Sequence, residues 1–361
     1  MERCSRKPAV AAGTSLSLPV HTLGRESIHT VWDASLPPAL RVRPGDMVVL
    51  DTLDASYGGV ARQVQAGRHP ELLPELTALI AAGAYPERSP TVGISTHSLR
   101  GHPLNGPVFV EDAKPGDTLV IDVLDVQPAA WGWTGCRPNG IGLLDAELAG
   151  KLGEGYTHFW DLRAGSHTDF LPGIRLPLAP FPGVLGLAPA APGPHSTSPP
   201  RRVGGNMDVR QLVAGSTLYL PVEVTGALLS AGDLHAAQGD GELSGTGIET
   251  EGRLTLRLSL RKGWPIDSPQ MRAPPEPTAL WSGGSYLVTG HAPDLMEAAR
   301  IALRGLLAHM RREYGLSLPH AYVLASACVD LRISQIVDAP NYTVSALLPL
   351  SIFQPEMNNQ R

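Results

Sequence analysis

Between Gly204 and Glu249 the chain concentrates carboxylates, an imidazole and glycines. The stretch opens with Gly204-Gly205-Asn206-Met207-Asp208, passes through a strand-like run, and continues as Gly232-Asp233-Leu234-His235-Ala236-Ala237-Gln238-Gly239-Asp240-Gly241-Glu242. A metal ion that activates water needs a few carboxylate and imidazole ligands and one further carboxylate to move protons, and this stretch carries both kinds of group. Asp233, His235, Asp240 and Glu242 fall within ten residues, among glycines that let the backbone bend until side chains converge. The bland alternative is a solvated Gly/Asp turn between two strands. Ala236 and Ala237 favour the site, because small neighbours let other groups approach the imidazole closely and a solvated loop does not need them. Asn206 could polarise a carbonyl oxygen through its amide, or simply form an Asx-turn at a strand start.

Strands must hold these groups in place. The run Arg43-Pro44-Gly45-Asp46-Met47-Val48-Val49-Leu50-Asp51-Thr52-Leu53-Asp54 recurs as Lys114-Pro115-Gly116-Asp117-Thr118-Leu119-Val120-Ile121-Asp122-Val123-Leu124-Asp125, with a fainter echo at Ala214 to Glu223. In each, a turn launches β-branched and apolar residues with partial alternation, as a strand does. The spacing is far too long for a solenoid and predicts a duplicated, β-sandwich-like body. Asp54 ends the first copy at a strand tip, where sites tend to be built, and Asp125 is its counterpart in the second.

Gly (39) and Pro (34) break helices, so short strands and loops are expected up to Lys262. The proline-rich span 172–200 reads as an irregular crossing that delivers His195 towards Gly204, with a possible subdivision of the chain near 190–200. Leu254, Leu256, Leu258 and Leu260 alternate with polar residues and predict a half-buried strand closing the metal-rich module. Helical periodicity comes late, over 293–314 and 319–331 within a helical portion at 290–335, with a shorter pattern at 71–82. The expected class is α+β, mainly β, with a few helices packed on the strand body.

Charged residues make up 17% of the chain, the net charge is −5 and basic residues do not cluster, which argues against nucleic acid as a partner. No glycine-rich phosphate loop precedes a helix, and no apolar run is long enough to span a membrane. Cys4, Cys136 and Cys328 are widely spaced and odd in number, as suits a reducing, cytoplasmic setting better than a disulfide framework. Residues 1–19 read as a disordered extension, leaving 20–361 as the catalytic unit.

From about His21 to Phe353 the sequence resembles the acetamidase/formamidase family. The resemblance is carried by His102-Pro103-Leu104-Asn105-Gly106-Pro107-Val108 with Glu111 and Pro115-Gly116-Asp117, then by Pro194-His195-Ser196 and Gly204 to Asp208. It continues through Gly215 to Val222, Gly226 to Glu242, Thr246-Gly247-Ile248-Glu249, Ala327 to Gln335 and Leu348-Pro349-Leu350. Asn105 and Asp112 depart from the pattern, and the segment after Asp54 lacks its usual glutamine, which bears on substrate choice more than on reaction type. The resemblance implies a β-rich fold, a homo-oligomer, and hydrolysis of short aliphatic amides to a carboxylate and ammonia.

On this basis Asp54, Asp208, Asp233 and His235 are expected to hold a divalent metal, zinc first, although an Asp-rich shell also suits calcium or manganese. Glu242 is expected to carry the proton and Asn206 to stabilise the oxyanion, with His102, His195, Gln238 and Asp240 as supporting or substrate-binding groups. Gly232, His235, Glu242 and Gly247 also partly imitate a cupin metal motif, which would make the chain an oxygenase or isomerase, but the second histidine of that motif is missing. A non-catalytic jelly-roll binding module is the remaining alternative.

Overall fold

A computed structural model of the chain describes residues 19–85, 101–138, 142–198, 200–210, 212–266, 269–272, 274, 285–335 and 342–354. The repeated Pro-Gly-Asp run recurs in it as a repeated structure. Arg43 N donates to Asp46 Oδ2 and Lys114 N to Asp117 Oδ2, both at 2.9 Å, so the same side-chain-to-backbone bond closes both turns. The strands they launch, Met47–Thr52 and Thr118–Pro128, flank the strand Gly252–Arg261 on its two sides. The third echo, Thr217–Pro221, pairs with Thr118–Pro128, so all three lie in one six-stranded sheet completed by Val20–Leu23 and Gln270–Arg272. Leu254, Leu256 and Leu258 of the central strand are buried, as the alternation requires. That strand lies in the middle of this sheet and does not close the metal-rich module. Alternation identifies a half-buried strand but not the sheet it joins.

A second, nine-stranded sheet runs in the order Gly204–Asn206, Phe181–Leu187, Leu229–His235, Glu249–Thr250, Trp131–Cys136, Tyr156–Asp161, with Leu104–Val110 also pairing with Leu229–His235. One apolar core joins the two sheets. It takes Val48, Leu50, Leu119, Ile121, Leu254 and Leu256 from the first and Val108, Leu185, Leu187, Leu229, Ala231 and Leu234 from the second. The span expected to be an irregular crossing contains the strand Phe181–Leu187, every residue of which is buried. Its proline and glycines hide the strand from propensity rules, yet glycine is what the packing needs there. A Cβ on Gly186 would lie 2.4 Å from Gly205 N.

The helix Leu295–Tyr314 starts at Asp294, whose Oδ1 accepts from Glu297 N at 2.9 Å, and stops at Gly315 in left-handed backbone (φ 65). Helix Leu318–Cys328 is capped by Ser317. Both pack into a second core with Trp160, Phe170 and Leu243. The expected helix 319–331 ends early because Asp330–Gln335 is a strand, in a three-stranded sheet with Ser285–Ala292 and Tyr342–Pro349, so the portion 290–335 is only partly helical. Pro74–Ala81 falls inside the expected 71–82, whereas the short helices Gly59–Gln65 and Asp145–Leu148 had no periodic signal. Among the described residues no helix is long and apolar enough to cross a membrane.

The two turn aspartates differ in how much they hold. Asp117 also accepts from Gly263 N (2.8 Å) and Lys262 Nζ (2.7 Å), while Asp46 adds only the ring of His21 (3.1 Å). Asp117→Ala is therefore expected to cost about 1–3 kcal/mol in urea unfolding and Asp46→Ala less, and equal losses would show that the Lys262 and Gly263 contacts contribute nothing.

Candidate metal centre

The strand Leu229–His235 is buried along its whole length and carries Asp233 and His235 into the interior. Its antiparallel neighbour Glu249–Thr250 sets Glu249 directly across from His235. His235 Nε2 lies 3.1 Å from Glu249 Oε1 and 3.6 Å from Asp233 Oδ1, and His235 Nδ1 lies 3.9 Å from Asp208 Oδ1. Asp208, Asp233 and His235 can each offer a ligand atom within 4.8 Å of the others, and so can His235, Glu242 and Glu249. The imidazole is common to both sets.

Hydrogen bonds fix how the ring is presented. Gln238 Nε2 donates to the Asp208 carbonyl oxygen (3.2 Å), which turns Gln238 Oε1 towards His235 Nδ1 at 2.7 Å. In the neutral ring Nδ1 therefore keeps the proton and Nε2 presents its lone pair to the carboxylates, the usual arrangement of a metal-ligating histidine. Asp208 Oδ1, Asp233 Oδ1, His235 Nε2 and Glu249 Oε2 are buried without a hydrogen-bond partner. Leaving such atoms unpaired costs about 1–3 kcal/mol each, and a cation among them would offset that cost. The donor set therefore fits a divalent metal.

Charge points the same way. Burial, then the nearby Asp208 carboxylate, pushes Glu242 up to about 9. Burial raises Glu249 to about 8 despite His235, and Asp208 to about 6. His235 moves well above its ordinary value: burial opposes this, but the Glu249 and Asp233 carboxylates outweigh it. Asp233 alone is held well below the usual range, because His102 and His235 together override its burial. Without a cation, then, the acids cannot all ionise.

The backbone is bent to make this convergence. Asp208 (φ 49), Asp233 (φ 55) and Glu242 (φ 41) all occupy the left-handed region, which is uncommon for residues with a side chain and costs about 1–3 kcal/mol each. Gly183 makes room between two of the acids, since a Cβ there would lie 2.7 Å from Asp208 Oδ1 and 2.9 Å from Asp233 Oδ2.

Asp208, Asp233, His235 and Glu242 are thus brought together, with Gln238 behind the ring and His102 Nε2 at 3.8 Å from Asp233 Oδ2. The structure does not bring Asp54 to them. Asp54 is buried and occupied by donors from Ser56, Gly58 and Trp133, capping the turn into Gly59–Gln65. It is dropped from the ligand set on that ground. His195 pairs with Trp32 in a two-residue strand, and its ring bonds back to Ala191 O (3.0 Å), so it supports the fold at the surface. Asp240 turns to Arg210, 3.3 Å away. Asn206 sits in the strand beside Phe181–Leu187, with its side-chain oxygen buried and unpartnered. Glu249 is the residue that sequence reasoning missed. Its place depends on the register across from His235, which short strands do not disclose.

A family model described as the Acetamidase/Formamidase family matches residues 92–197 and 191–355, most of the chain. The chain belongs to that family. The formamidase of Methylophilus methylotrophus is 28% identical over 91% of this chain and 89% of its own length. Among solved structures, the gamma lactamase from Delftia acidovorans is 28% identical with a TM-score of 0.74, covering 92% of this chain and 93% of its own. The acetamidase from Bacillus halodurans is 30% identical with a TM-score of 0.55, covering 91% and 97%. As an acetamidase/formamidase family member the chain is an amidohydrolase, a mainly β enzyme with the fold described above.

Two tests follow from the site. Buried acids whose folded pKa is raised, and a histidine raised likewise, contribute stability that is present at low pH and lost as pH rises through the folded values. Stripped of divalent cations, the protein should lose melting temperature as pH rises from about 5 to about 9, and added cation should flatten that fall. A melting temperature rising across that window would contradict the charge argument. Gly183→Ala should leave a folded protein with cation affinity reduced about tenfold or more, measured by titration of the cation-free form.

Proposed function

We propose that this chain hydrolyses the C–N bond of short aliphatic amides at the Asp208, Asp233 and His235 cluster, releasing a carboxylate and ammonia. One observation supports the reading above the rest: partnerless, buried ligand atoms on three residues converge beside the carboxyl of Glu242, which shares His235 with them. Asp208, Asp233 and His235 would hold a divalent cation, zinc first, and Glu249 stands close enough to His235 to join them. When bound, the cation would lower the pKa of a water molecule towards neutrality and polarise the amide carbonyl.

The chain's own residues supply the rest. Burial and Asp208 hold the Glu242 carboxyl protonated while the cluster's charge is unbalanced; once that charge is balanced Glu242 ionises, takes the proton of the attacking water and returns it to the leaving nitrogen. The Asn206 amide nitrogen is the proposed donor to the oxyanion. Gln238 holds the ring of His235 in one tautomer, and Ala236 and Ala237, both buried, keep the pocket tight around small acyl groups. The Delftia acidovorans lactamase carries the higher TM-score of the two solved structures, which favours a second reading in which a γ-lactam is also opened. A cytoplasmic, homo-oligomeric enzyme completes the proposal; Cys136 and Cys328 are free and buried, as in a reducing compartment.

Ammonia release from formamide, acetamide and propionamide, and ring opening of a γ-lactam, test the reading on metal-replete protein. Glu242→Gln should lower turnover by about a hundredfold or more while leaving metal content unchanged. Unchanged turnover removes Glu242 from the role, and oxygen uptake in place of ammonia release would support a cupin-like oxygenase.

A further inference from the structure

The acids of the site stand on separate pieces of backbone. Asp208 follows the strand Gly204–Asn206, and Glu242 lies in the turn after Gly239 and Gly241. Both are in left-handed backbone, and strand pairing does not set the distance between them. The loop carrying Glu242 is fastened to the C-terminal elements. Gly239 N donates to Ser326 O (3.1 Å), Ser244 N to Ser326 Oγ (3.0 Å) and Tyr322 OH to Leu243 O (2.8 Å). Asp240 is gripped from both sides, its N donating to Asp330 Oδ1 (2.8 Å) and its O accepting from Leu331 N (3.1 Å).

One guanidinium ties that assembly to the Asp208 segment. Arg210, two residues past Asp208 and 11% exposed, sets Nε 3.3 Å from Asp240 Oδ1 and Nη2 3.1 Å from Asp330 Oδ2. The Asp330 arm is buried, so its loss would leave that carboxylate with only the more distant guanidinium of Arg332, 3.8 Å away. The Asp240 arm is partly open to solvent and weaker. A planar fork can address two carboxylates with two different nitrogens, whereas a lysine offers a single point charge.

We propose that Arg210, acting through Asp240 and Asp330, is a positioning residue that sets the spacing between Asp208 and Glu242 without touching substrate. The inference rests on the reading of Asp208 as a ligand and Glu242 as the proton carrier. It is tested on the full chain with Arg210→Ala and Arg210→Lys, reading kcat and KM for the best amide and the affinity of cation-free protein for Co2+ by visible absorption.

The expected result is folded protein with KM little changed, kcat and Co2+ affinity each lowered about tenfold or more, and partial recovery of Arg210→Ala by added guanidinium ion. Lysine should not restore either quantity. If Arg210→Ala does not fold, Asp240→Asn carries the test, with the same loss in kcat on a smaller scale. Values within about twofold of the parent in kcat and Co2+ affinity overturn the proposal, as does a fall in kcat that only tracks lost folded protein and ignores guanidinium. If the parent binds Co2+ yet cleaves no amide, the functional reading fails while the affinity comparison still decides the role of Arg210.

Discussion

Asp208, Asp233, Glu242 and Glu249 share one imidazole in a pocket that excludes most water, and such a group cannot balance its own charge. In water these acids would all be ionised near neutrality; here three of them are pushed above their ordinary range and only Asp233, with His102 and His235 beside it, is held below it. A divalent cation would resolve the conflict by replacing protons that the acids otherwise retain. The surrounding design follows from that need. Oδ1 of Asp208 and of Asp233, Nε2 of His235 and Oε2 of Glu249 are kept free of hydrogen bonds, the one tautomer of His235 that exposes Nε2 is enforced from behind, and glycine stands where a methyl group would press on two carboxylates.

Arranging groups that repel one another requires a rigid support, because each left-handed carboxylate would relax if it could. The sandwich core supplies rigidity on one side, through Leu229, Ala231 and Leu234 on the strand that carries Asp233 and His235. The helix Leu318–Cys328 supplies it on the other, through Ser326 and Tyr322, which satisfy backbone groups of the loop bearing Glu242. The C-terminal layer is thus structurally continuous with the site although none of its described residues belongs to the two candidate cation clusters. Packing and chemistry are coupled through the loop's own peptide groups.

Much of this was legible in the sequence because it rests on local signals. The Pro-Gly-Asp turns, the alternating leucines from Leu254 to Leu258 and the apolar face of Leu295–Tyr314 each follow from periodicity or turn chemistry, and each forms an element. Asp208, Asp233, His235 and Glu242 could be grouped because glycines and small residues surround them in the chain. What stayed hidden depends on pairing between distant segments. Glu249 meets His235 only through strand register, and Phe181–Leu187 becomes a strand only because Gly183 and Gly186 meet close neighbours. His195 is adjacent in sequence to the glycine-rich stretch, yet it is claimed by Trp32 in a different sheet.

Asp54 shows why composition alone misassigns such a residue. It and Asp125 hold matching positions in the repeat behind equivalent turns, but Asp54 lies just past the end of Met47–Thr52 whereas Asp125 lies within Thr118–Pro128, paired with Thr255. Asp125 stays near the surface and takes a hydrogen bond from Gln127 at 2.5 Å, while Asp54 is buried and collects donors from Ser56, Gly58 and Trp133. Its expected place at a strand tip made Asp54 a candidate ligand, but a carboxylate already satisfied by several donors has little to gain from a cation, and losing those bonds would unfasten the turn into Gly59–Gln65. The acids that suit a metal are those that keep one buried oxygen without a hydrogen-bond partner, as Glu249 keeps Oε2 although its Oε1 accepts from Gly247 N (2.9 Å). By that criterion Asp208, Asp233 and Glu249 separate from Asp54, although all four are acids held away from bulk water on the same β framework.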